Sequence, residues 1–383
     1  MNCSPVVIAL FLILPLAAAD GNGLSGTPPD DSHPWFVHDK RRPQPPVVTP
    51  GDQPGLPPSD AVVLFDGSAA SLSAQWEPVD PNREKRWEVR EGAMVCTPGA
   101  GNIKTRAALG DVQLHIEWAA PVEVAGAGQG RGNSGIFLLN DFEVQVLDSY
   151  QNPTYPDGMA GALYGLNPPL ANPLRPSGSF QSVDIIFRRP VARDGRMLDA
   201  GHATVLINGV LVQDAVSFEH GAGGHTRAKS RDSYPDTAPL RLQDHNNPVR
   251  FRNIWYRPLP PRAVDGGLDG DLAPEVALAK RRELAATVRA EAAAIQEPLR
   301  QLLLLFESLA YAPDPQAAEQ AASLAAAYAD RIHGLPADAQ TALKDEITRV
   351  AGWCRYMQGH KILPDLPATA VLASVIEARG WKK

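Results

Sequence analysis

Between Ser134 and Val146 two apolar runs, Ser134-Gly135-Ile136-Phe137-Leu138-Leu139 and Phe142-Glu143-Val144-Gln145-Val146, are parted only by Asn140-Asp141. Short apolar runs on either side of such a turn pair read as a β-hairpin. The second run alternates, with Phe142, Val144 and Val146 on one side and Glu143 and Gln145 on the other. A strand that buries its apolar face therefore holds a carboxylate and an amide together on the opposite face. Strict parity puts Asp148 with the apolar set, but a bulge after Val146 turns it back toward Glu143. Bulges are frequent beside active sites. Glu143, Gln145 and Asp148 are thus the first candidates for chemistry.

The rest of the chain sets the frame. Pro5 to Leu16 is almost entirely apolar and ends in Ala17-Ala18-Ala19, the form of a secretory signal peptide cleaved after Ala19. Export is expected, and no later run is apolar enough to span a bilayer. Residues 20–60 are rich in Pro, Gly and Asp and read as a solvated linker. The alternative is an ordered arm along the next domain, anchored by Trp35-Phe36-Val37. A net charge of −7 without a basic face argues against nucleic acid as a partner. Behind residue 19 only Cys96 and Cys354 remain, too few to define a disulfide framework. Cys96 reads as a small buried hydrophobe.

From Ala61 the chain breaks into short strands: Val62-Val63-Leu64-Phe65, Trp87 to Arg90, Val112 to Trp118, Val183 to Phe187, and Ala203 to Ile207 leading through Asn208-Gly209 into Val210-Leu211-Val212. Many short strands without helices between them predict an antiparallel sandwich or jelly roll over residues 61–260. Beyond Pro258-Leu259-Pro260-Pro261 the period changes. Leu299, Leu302, Leu303, Phe306 and Leu309 mark one apolar helix face; Leu343, Ile347, Val350, Cys354 and Met357 mark another. Residues 272–383 are expected to form a helical bundle, for docking, oligomerisation or capping.

Further polar residues can join Glu143. Gln243 and His245 share a face of one strand, and Arg250 and Arg252 share a face of its partner. Asn133 and Ser134 stand at the entry to the hairpin, where amides and hydroxyls suit sugar hydroxyls. Tyr164 offers an aromatic platform or a phenolic proton. The plain alternatives are a histidine bonded to a turn, arginines on a solvated face, and a tyrosine in the rim of the core.

Gly132-Asn133-Ser134-Gly135-Ile136-Phe137, Phe142 to Asp148, Gly161-Ala162-Leu163-Tyr164-Gly165 and Leu242 to Trp255 resemble the 3-keto-disaccharide hydrolase family. Phe65-Asp66-Gly67 and Asn208 to Val212 fit the same pattern. The resemblance spans roughly residues 61–259 and implies a concanavalin-like jelly roll, similar to the laminarinase-type enzymes of glycoside hydrolase family 16. Those carry Glu-x-Asp-x-x-Glu where this chain has Glu143, Gln145 and Asp148, so a mechanism with two close carboxylates does not transfer. A ketone at C3 of a sugar acidifies the hydrogen on C2, and the glycosidic oxygen can then leave by elimination, followed by hydration. That route needs a base, a stabiliser for the enolate and an acid. The expected roles are Glu143 as base, with His245 and Asp148 assisting. Asn133, Gln145, Tyr164, Gln243 and Arg252 would bind the sugar. One divalent cation on Glu143 and His245 is a further expectation. The rival reading is a glycan-binding, lectin-like module without turnover, since one scaffold serves both.

Overall fold

The structure, a computed structural model, describes residues 24–381 apart from 25, 224, 230 and 269–271. The export signal expected over residues 1–19 lies outside the described residues. No described helix is long and apolar enough to cross a membrane. The chain divides into two compact units, residues 46–269 and a second unit that joins residues up to 45 with those from 270 onward.

The first unit is an antiparallel sandwich. Its larger sheet runs in the order Val210–Phe218, Gly201–Ile207, Gln181–Arg188, Val112–Ala119, Arg250–Pro258, Ala93–Val95, Glu88–Arg90, with Val62–Phe65 also paired to Arg250–Pro258. The smaller sheet runs Trp76–Pro78, Ile103–Leu109, Ala238–Leu242, Ser134–Leu138, Phe142–Val146. Alternation decides which side chains meet between the sheets. Leu114, Ile116, Trp118, Phe251 and Ile254 come from the larger sheet; Ile136, Leu138, Phe142, Val144, Val146, Leu240 and Leu242 come from the smaller. The intervening residues must then point outward on either side. The expected hairpin is present, but its bend takes in Leu139 as well as Asn140, both with positive φ.

The described part of the stretch 20–60 is mostly exposed between residues 42 and 54 and makes specific contacts on either side of its middle. Residues 46–60 run over the outer face of the larger sheet, where the Gly55 carbonyl accepts from Asn253 Nδ2 (2.8 Å) and Trp255 Nε1 (2.9 Å). Residues 24–45 belong instead to the helical unit. There Phe36 meets Tyr311 edge-on at 4.9 Å, the Tyr311 hydroxyl donates to Asp39, and Arg41 pairs with Glu291 and Glu307. An arm dense in proline loses little entropy on docking, and its aromatic pair supplies the apolar area.

The helices Pro298–Tyr311, Pro315–His333 and Lys344–Gly359 follow the apolar stripes. Glu297 and Asp314 cap the first two through the backbone N–H groups of Leu299 and Ala317. Proline follows each cap, where its missing N–H costs nothing. The thiols of Cys96 and Cys354 are buried and free.

One outward-facing residue of the larger sheet is nevertheless buried. His115 lies beneath Gly55, stacked on Trp255 at 5.1 Å, with Nδ1 2.7 Å from Asp184 Oδ1 and Nε2 3.9 Å from Glu117 Oε1. Burial opposes its charge, but hydrogen bonds and attraction from Asp184 and Glu117 win, raising its pKa from 6.5 to about 9. A raised histidine pKa stabilises the fold fully below the unfolded value and ceases to do so as pH passes the folded one. The stability gap between wild type and His115→Gln should therefore be widest near pH 6 and shrink toward pH 10. Urea unfolding at both pH values tests this; a gap independent of pH would contradict it.

Candidate functional site

The outward face of the smaller sheet collects the polar residues. Antiparallel register sets Arg241 opposite Phe137 and Phe137 opposite Glu143. Beyond that edge the segment 161–164 pairs with the hairpin: Tyr164 N–H donates to the Glu143 carbonyl (3.0 Å), and Gln145 N–H donates to the Ala162 carbonyl (3.0 Å). One row therefore reads Arg241, Phe137, Glu143, Tyr164. The next rung carries Gln243, Gly135 and Gln145, since Gln243 N–H donates to the Gly135 carbonyl at 3.1 Å.

Glu143 is the centre of this face. Its side chain is 8% exposed and makes no ion pair among the described residues. The carboxyl rests on Gly135: a Cβ added there would lie 2.2 Å from Glu143 Oε1 and 2.8 Å from the Phe137 ring. Only the residue without a side chain leaves this space. Burial pushes the Glu143 pKa from 4.5 up to about 7, opposed by the Arg241 cation. Arg241 is itself held over Phe137, with Cζ 4.1 Å from the ring centre, and Nη2 donates to the Asn140 carbonyl at 3.1 Å. Its Nε and the Gln243 Oε1 are buried without a hydrogen-bond partner among the described residues.

Gln145 supports Glu143. Its amide nitrogen lies 3.2 Å from Glu143 Oε1 and 3.0 Å from the Ser134 carbonyl and donates to both, while its amide oxygen faces the Gln129 amide at 3.0 Å. Asn133 Nδ2 donates to the Gln129 carbonyl at 2.8 Å and holds this end of the site together.

Beside Glu143 opens a cleft of about 530 Å³, lined by Tyr155, Asp157, Tyr164, His225, Thr226 and Arg227 among others. The Tyr155 and Tyr164 hydroxyls meet at 2.9 Å in its wall. Burial pushes the Tyr155 pKa up, aided by the bond to Tyr164 and by the charges of Asp157 and Glu143.

Glu143, Gln145, Asn133, Gln243 and Tyr164 thus share one face. Three other expected residues do not join them. The ladder runs in register through Val146, where it ends. Beyond it Asp148 is bound by Arg131 Nε (2.8 Å), the Ser177 hydroxyl and the Tyr150 N–H, and not by Glu143. His245 is exposed on the loop beyond Ala238–Leu242, and no contact joins it to Glu143. Arg252 leaves the larger sheet on the far side of the sandwich, bound to Glu117 at 2.7 Å and stacked over Phe180 at 3.9 Å. Among the described residues no group of three or more His, Cys, Asp or Glu side chains could hold a metal ion. Sequence reasoning passed over Gly135, Phe137, Arg241 and Tyr155. Arg241 alternates with Gln243 and was open to the same parity argument; Tyr155 carried no signal.

A family model for 3-keto-alpha-glucoside-1,2-lyase-like domains matches residues 60–257. Among solved structures, a candidate glycosyl hydrolase of Parabacteroides distasonis is 40% identical, over 58% of this chain and 94% of its own, with a TM-score of 0.53. A second candidate glycosyl hydrolase of that organism is 19% identical, over 52% of this chain and 94% of its own, with a TM-score of 0.36. An alginate lyase is 10% identical, over 52% and 97%, with a TM-score of 0.33. No curated protein matches the chain. The helical unit lies outside the family match.

The raised Glu143 pKa has a cost in stability. Between pH 4.5 and about 7 the folded chain binds the proton that the unfolded chain has lost, so wild type weakens as pH rises through this window. Glu143→Gln, neutral throughout, should be more stable than wild type above pH 7 by up to ~3 kcal/mol. The gain should vanish below about pH 4. Thermal melts at the two ends of the range measure it, and a gain of equal size at both would refute the assignment.

Proposed function

The chain belongs to the 3-keto-alpha-glucoside-1,2-lyase-like family, and on that premise we propose that it cleaves the glycosidic bond of 3-keto-glycosides by base-catalysed elimination, with hydration of the unsaturated product to follow. The observation that carries this reading is Glu143: a carboxyl group poised near neutral pH, fixed on Gly135, beside a cleft large enough for a sugar. A general base works best when its pKa lies near the working pH.

Glu143 takes the hydrogen from C2, and negative charge then gathers on the C3 ketone oxygen. Arg241, braced by Phe137, supplies a cation for that charge. The Gln145 amide donates to Glu143 Oε1 at 3.2 Å, so the ionised base keeps a hydrogen-bond partner. On its own strand Glu143 is followed on the same face by an amide, Gln145, and not by a second carboxyl group, which suits an elimination rather than the paired acids of ordinary retaining or inverting hydrolysis. Against a purely glycan-binding role stands the cost of burying Glu143 without an ion pair, which a lectin has no need to bear. We also propose export, from the apolar run Pro5 to Leu16 and the Ala17-Ala18-Ala19 that follows. Amino-terminal sequencing of the secreted protein should begin at Asp20; a mature chain still starting at Met1 would exclude it.

Release of the aglycone from 3-keto-glucosides, set against matched unoxidised glucosides, tests the main proposal. Only the ketone-bearing substrates should be cleaved, with kcat/KM rising through about pH 7 as Glu143 ionises. Glu143→Gln should lose about 10²–10⁴-fold, and Gly135→Ala should lose activity comparably while its melting temperature stays close to wild type. Cleavage of both substrate series at similar rates, or full activity in Glu143→Gln, would overturn it.

A further inference from the structure

An elimination that starts at Glu143 leaves one role open, the acid that protonates the departing oxygen. We propose that the phenol pair Tyr155–Tyr164 fills it: Tyr164 gives its hydroxyl proton to the leaving oxygen, and Tyr155 holds the phenolate that remains. The inference rests on the elimination reading and adds two residues to it.

Position supports it first. Tyr164 is the cross-strand neighbour of Glu143, through its N–H bond to the Glu143 carbonyl and the pairing of Val144 with Leu163. Neighbouring side chains in one row start from Cβ atoms about 4.5–5.5 Å apart. A base and an acid so placed can reach a C2 hydrogen and the oxygen on the adjacent C1 of one sugar ring. Phe137, on the other side of Glu143, has no proton to give. The phenols also line the cleft that a substrate must enter.

Hydrogen bonding supports it second. Two hydroxyls 2.9 Å apart share one proton between them, which leaves the other proton free to point elsewhere. Loss of the Tyr155 proton is opposed by burial, by the bond to Tyr164 and by the charges of Asp157 and Glu143. In the pair as proposed, Tyr155 keeps its proton and donates to Tyr164, which leaves the Tyr164 proton for the departing oxygen.

The step balances. The C2–H bond breaks and its proton goes to Glu143; the electron pair forms the C1–C2 double bond. The C1–O bond breaks with its pair on oxygen, which takes the Tyr164 proton. In hydration, water adds its oxygen to C1, Glu143 returns its proton to C2, and the remaining water proton restores Tyr164.

Tyr155→Phe and Tyr164→Phe keep both rings and remove the hydroxyls. With methyl 3-keto-glucoside, whose leaving group needs a proton, Tyr164→Phe should lose about 10²–10⁴-fold and Tyr155→Phe less. With the 4-nitrophenyl 3-keto-glucoside, whose leaving group is stable as an anion, either variant should lose less than about tenfold. In deuterium oxide, unreacted methyl glycoside recovered from Tyr164→Phe should carry deuterium at C2, because Glu143 still acts while departure is blocked. Equal losses with both leaving groups, or loss of C2 exchange in step with cleavage, would overturn the phenol pair while leaving the base in place. A wild-type protein that neither exchanges C2 nor cleaves either glycoside would overturn the elimination reading, and the phenol pair with it.

Discussion

A carboxyl group resting on bare backbone governs this molecule. Glu143 occupies the volume that a side chain at position 135 would fill, so the missing Cβ of Gly135 is part of the site as much as the acid is. The pocket costs the carboxylate its water and holds it near neutral pH. A buried acid without a partner would ordinarily be selected against on stability alone. Here the cost is limited by the Gln145 amide on one side and by the Arg241 cation behind Phe137. Sheet register sets these groups together, because they lie on three adjacent strands in the same row or the next.

The same register explains why an acid, a base and a cation can be held so close without collapsing into salt bridges. Phe137 stands between Glu143 and Arg241 and takes the guanidinium on its ring. The charges feel one another, yet neither is neutralised by contact. On the opposite side the phenol pair stands next to Glu143 in the wall of the cleft. The hairpin thus works as a frame with an apolar divider on one flank and a protic wall on the other.

The remainder of the sandwich serves to keep that frame rigid. Asp148, Arg131 and Ser177 tie the chain down where it leaves the sheet after Val146. The strap over the larger sheet closes on His115 and Trp255, far from the site, and protects an outer face that would otherwise be open to water. The helical unit carries its own core and its own ionic clamp to the amino-terminal arm.

Alternation in Phe142–Val146 was enough, without coordinates, to place Glu143 and Gln145 on one outward face. Apolar stripes marked the helices. These features are local, set by backbone periods of 2 and 3.6 that any strand or helix must obey. The notional partners of Glu143 were not local. Asp148 and Glu143 are five positions apart, and whether they meet depends on the course of the chain beyond Val146, where the ladder ends. Arg252 and Glu143 both point outward, but from opposite sheets, a difference invisible until the strand order is known. Gly135, Phe137, Arg241 and Tyr155 became functional candidates only through cross-strand pairing and loop packing. Sequence period tells which way a side chain leaves its strand; only the stacking of strands, bought by burial of the shared core, tells what it meets.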